Sequence, residues 1–117
     1  MAAKTVTFAN TIINTYIGAT ATPFVGLFLA GDIEVSGVNY VRTAVTFSAA
    51  VTGATSNSAP VSFAAAGAGG WGTIHAIKIF DALAGTALYE GTLLADKAVD
   101  EGDTVSFAAL ALQVTES

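Results

Sequence analysis

"GGWGTIHAIKIFDALAGTALYEG", residues 69–91, decides how this chain folds. Along "TIHAIKIF" the side chains of Ile74, Ala76, Lys78 and Phe80 alternate with those of His75, Ile77 and Ile79, the two-residue period of a strand. "DALAGTA" then supplies turn residues, and "LYEGTLL" returns to strand-favouring ones. The stretch reads as a β-hairpin with a loop of several residues. Asp81 is placed to accept backbone N–H groups across the turn, and Gly85 is placed for a left-handed conformation.

The same two-residue period extends outward in both directions. Val41, Thr43, Val45, Phe47 and Ala49 alternate with Arg42, Ala44, Thr46 and Ser48. Val61 and Phe63 mark a further short strand after the turn-rich "TGATSNSAP". "DEGD" at 100–103 forms a turn on Gly102 and Asp103, after which Val105 and Phe107, then Leu110, Leu112 and Val114, alternate again. "PFVGLFLA" at 23–30, which holds Phe24 and Phe28, is apolar on both faces and suits a central strand. Regular short strands separated by turns predict an all-β fold. An antiparallel β-sandwich or jelly-roll-like barrel of about seven to eight strands is expected.

The N-terminal stretch differs. Phe8, Ile12, Ile13, Tyr16 and Ile17 recur at three- and four-residue spacing, the signature of a short amphipathic helix, although Ile, Thr and Tyr also suit a β arm. Gly18 is a natural stop. The expected division is a helix or arm over 1–18 and a β domain over 19–117. No internal repeat of solenoid length is visible.

Composition narrows the function. Charged residues make up 11% of the 117 and hydrophobic ones 53%, with nine acids against four Lys and Arg. Thirteen charges are few for covering a solitary domain in water, so other protein is expected against its surface. Phe8, Ile12, Ile13, Tyr16, Phe24, Phe28 and Trp71 are the candidate interface residues. Four scattered cations cannot neutralise a row of phosphates, which argues against nucleic acid and anionic membrane surfaces. Two stretches without fixed charge, 5–31 and 43–77, are too broken by Thr, Asn, Gly and Pro to span a bilayer. The opening residues make a poor signal peptide, because Asn10, Thr11, Asn14 and Thr15 interrupt the apolar centre.

No catalytic or cofactor-binding residues are expected. The chain has one histidine and no cysteine, so a metal site would rest almost wholly on carboxylates. His75 reads as a strand residue. Asp100, Glu101 and Asp103 flank a glycine turn and lack the apolar wall that raises a catalytic carboxyl's pKa. No nucleophile elbow or phosphate-cradling loop occurs. Trp71, set among glycines, reads as a plug closing the core or an interface anchor; a sugar-stacking platform is the competing reading.

In order along the chain come "EVSGVNYVRTAVTFSAA" (34–50), "SNSAPVSF" (56–63), "GWGTIHAIKIFDALAGTALYEGTL" (70–93) and "KAVDEGDTVSFAA" (97–109). This series resembles a family of small tailed-bacteriophage virion proteins, labelled tail fibre-like or minor capsid proteins, over about residues 27–115. The resemblance implies a structural virion subunit with no catalytic motif. Compactness and the lack of a repeating shaft favour a capsid decoration subunit on the capsid exterior. Its partners would be the major capsid protein and copies of itself, in a homotrimer. A tail or tail fibre-associated protein and a carbohydrate-binding module are the alternatives.

Overall fold

A segment with apolar side chains on both faces is stable only with strands along its edges and cover above and below, and "FVGLFL" obtains all of these. The computed structural model describes residues 5–17 and 22–115. In chain order its elements are α1 (Val6–Tyr16), β1 (Phe24–Leu29), β2 (Ile33–Glu34), β3 (Thr43–Ala44), β4 (Ala54–Ser56), β5 (Val61–Ser62), β6 (Gly72–Phe80), β7 (Ala87–Val99), β8 (Ser106–Phe107) and β9 (Gln113–Thr115). The fold is all-β with one short helix, and every strand pair is antiparallel.

Strand β1 lies inside a five-stranded sheet. On one edge it pairs with β6, Phe24 opposite Phe80 and Phe28 opposite Ala76. On the other edge β3 covers its first residues and β2 its last. The hairpin expected from the sequence is β6–β7, with Lys78 opposite Glu90 and Ile79 opposite Tyr89. Its register breaks beyond Ala76. Ile74 faces Lys97 and Ala76 faces Thr92, so residues 93–96 stand against His75 alone. Such a bulge bends a strand and interrupts its free edge.

Two short ladders, β4–β9 and β5–β8, supply the second layer. Val25, Leu27, Ile74, Ile77 and Ile79 of the sheet share one core with Val61, Phe63, Val105, Leu112 and Val114. Phe47, at 2% exposure, is the largest fully buried side chain in that core.

Helix α1 belongs to the same core: Ile13 and Ile17 are fully buried within it. The Thr5 side chain caps its start by accepting from Phe8 N at 3.2 Å. Two asparagines inside the helix, poor helix formers by intrinsic preference, serve the β domain instead. Asn14 accepts from Ala50 N at 2.9 Å and Asn10 from Gly53 N at 2.8 Å. They satisfy donors in a tight turn where Thr52 and Gly53 both have positive φ. The helix ends at Ile17, whose N–H donates to Ile13 O; Gly18 lies outside the described residues.

Four details depart from the sequence reading. "TGATSNSAP" holds strand β4 as well as turns. Val41 is 60% exposed rather than in line with Val45 and Phe47, because regular pairing covers only Thr43 and Ala44. Leu110 is also exposed, in a left-handed turn at φ 70°. Gly85 is not left-handed. A glycine is required there because any Cβ would strike the Asp81 carboxylate and the Ala82 N–H.

Candidate functional site

The hairpin's three distinctive residues do not converge. Trp71 packs edge-on against Tyr40 and Phe63, with ring centroids at 5.5 and 6.4 Å. Its indole N–H donates to Val38 O at 2.9 Å. Gly37 lies so close that a Cβ there would approach the indole Cδ1 to 2.5 Å. At 4% exposure Trp71 is a plug in its own chain's core, and it offers no open ring face for stacking on a sugar.

His75 and Asp96 meet at the bulge, Nδ1 to Oδ1 at 2.9 Å, with both side chains largely open to solvent. Asp81 closes the hairpin turn: its Oδ1 accepts from Thr86 N at 2.8 Å, and its own N–H donates to Thr86 O. In the "DEGD" turn Gly102 has φ 86° and Asp103 Oδ2 accepts from Asp100 N. Among the described residues no group of three or more His, Asp or Glu side chains is placed to hold a metal ion. No helix among them is long and apolar enough to cross a membrane.

The densest polar arrangement lies on the outer face of the sheet, and the sequence reading missed it. Glu34 on β2 is gripped at both oxygens by Arg42, whose Nε donates at 2.8 Å and whose NH2 group donates at 2.9 Å. The Tyr40 hydroxyl donates to the same carboxylate at 2.7 Å and accepts from Leu27 N at 2.9 Å. Arg42 also lies 3.6 Å above the ring of Phe80, and its remaining terminal nitrogen donates to Leu83 O. Phe80 stacks on Phe28, and Lys78 lies 4.6 Å from the Phe28 ring while pairing with Asp32 at 2.7 Å.

This charge arrangement sets the protonation behaviour. The Arg42 hydrogen bonds hold the Glu34 carboxyl below the ordinary range, against the opposing effect of burial. Burial pushes the Tyr40 hydroxyl up, and its bond to Glu34 adds to that. The salt link to Asp32 raises Lys78. Gly26 leaves room for the network, since a Cβ there would sit 2.9 Å from both Glu34 Oε2 and the Phe80 ring. Each charged group is matched within the chain, so the network clamps two short strands to the sheet. Only its residue spacing, Glu34, Tyr40 and Arg42 within nine positions, was visible beforehand.

The candidate interface residues fall into two sets. Phe8 is 55% exposed and Ile12 and Phe24 are half-buried, which leaves them surface to offer. Ile13, Phe28 and Trp71 are buried instead. Ile13 is taken up by the core, Phe28 is sandwiched between Phe80 and Lys78, and Trp71 is the plug described above. The side chain of Tyr16 lies outside the described residues. Ile33, Val38, Val51 and Leu83 are large apolar residues left exposed that periodicity had not singled out.

A family of known proteins matches the chain over residues 3–115, under the description podophage GP4 fiber I protein gp80. The chain belongs to this fiber I family. No curated protein matches it. Membership makes the chain a tailed-phage virion structural protein, as the ordered motifs from "EVSGVNYVR" to "DEGDTVSF" imply. The matched span takes in the helix and every described strand.

Proposed function

We propose that the chain is a non-enzymatic subunit of a phage fibre, seated on the fibre or at its attachment to the particle and acting through surface contact alone. The family description carries this reading. The fold supports it in two ways. Several polar side chains are committed to the chain's own backbone: Asn57 to Leu112, Ala59 and Ala108, Tyr40 to Leu27, Asp81 to Thr86. Exposed apolar residues such as Phe8, Ile33 and Leu83 remain for neighbours, and burying them stabilises an assembly by about 25 cal/mol per Å² before ordering costs. Without a repeat the chain cannot form a long shaft, so it is a compact module on one.

Decoration of the capsid exterior, against the major capsid protein, is the second reading. What favours it is the scarcity of charge on a single folded unit, which suits repeated lattice contacts multiplied by symmetry. Gold-labelled antibody against the folded chain, applied to intact particles and viewed by electron microscopy, separates the two. Label along fibres supports the proposal, label over the shell supports decoration, and particles without label overturn both.

A further inference from the structure

We draw no further inference here: the strongest candidate, the uncharged groove between β6, the bulge at 93–96 and the layer that holds Phe107 and Leu112, is an unpartnered apolar surface, and nothing in the structure shows what covers it.

Discussion

The hydroxyl of Tyr40 accepts the Leu27 amide at 2.9 Å, in the gap between the two short strands that share one edge of β1. The β2 side ends at Leu27 O, which accepts from Val35 N, and β3 reaches only Val25. A side chain therefore supplies the ladder bond that no strand reaches. Tyr40→Phe keeps the ring contacts with Trp71 and Phe63 but orphans a buried amide. The expected loss is about 2 kcal/mol in urea unfolding, with an unchanged denaturant slope.

The Glu34–Arg42 pair predicts a pH signature. A carboxyl whose folded pKa is depressed adds stability that is present above its unfolded value, about 4.3, and is lost as pH falls through the lower folded value. Glu34→Gln should therefore be less stable than wild type at pH 7. The gap should narrow as melting is followed from pH 5 down to pH 2. A constant gap across that range would mean that the carboxylate's charge contributes nothing.

Asn57 is fully buried, and its side chain makes three bonds to the backbone: from Leu112 N, and to Ala59 O and Ala108 O, each at 2.9 Å. It ties the segment after β4 to the C-terminal strand. Asn57→Ala leaves those groups unpaired in a dry site. A loss of about 3 kcal/mol is expected, with amide exchange accelerated first at Leu112.

The helix separates packing from surface. Ile13→Ala removes a fully buried side chain and is expected to cost about 3 kcal/mol, whereas Phe8→Ala, at an exposed position, should stay within about 0.5 kcal/mol. If Phe8 contacts a neighbour in the particle, Phe8→Ala would lower incorporation into virions while the isolated chain melts normally.

What could be read from the sequence follows from which interactions are local. The β6–β7 hairpin and the helix repeat their pattern within a few residues, so periodicity revealed them, and the central strand β1 stood out as an unbroken apolar run. The Glu34–Tyr40–Arg42 clamp, the Asn57 pin and the bulge at 93–96 depend on what lies opposite in another strand, which no single window of sequence contains. Gly85 shows the same limit. A glycine in a turn suggests a left-handed backbone, but here the closeness of the Asp81 carboxylate requires it. Ile13 and Trp71 were ambiguous between core and interface because hydrophobicity alone does not say whose core a residue joins.

Labelling intact particles with gold-conjugated antibody raised against the folded chain, followed by electron microscopy, tests the central claim most directly. The account predicts label confined to fibres. Label spread over the capsid shell, or particles that carry none, would contradict it.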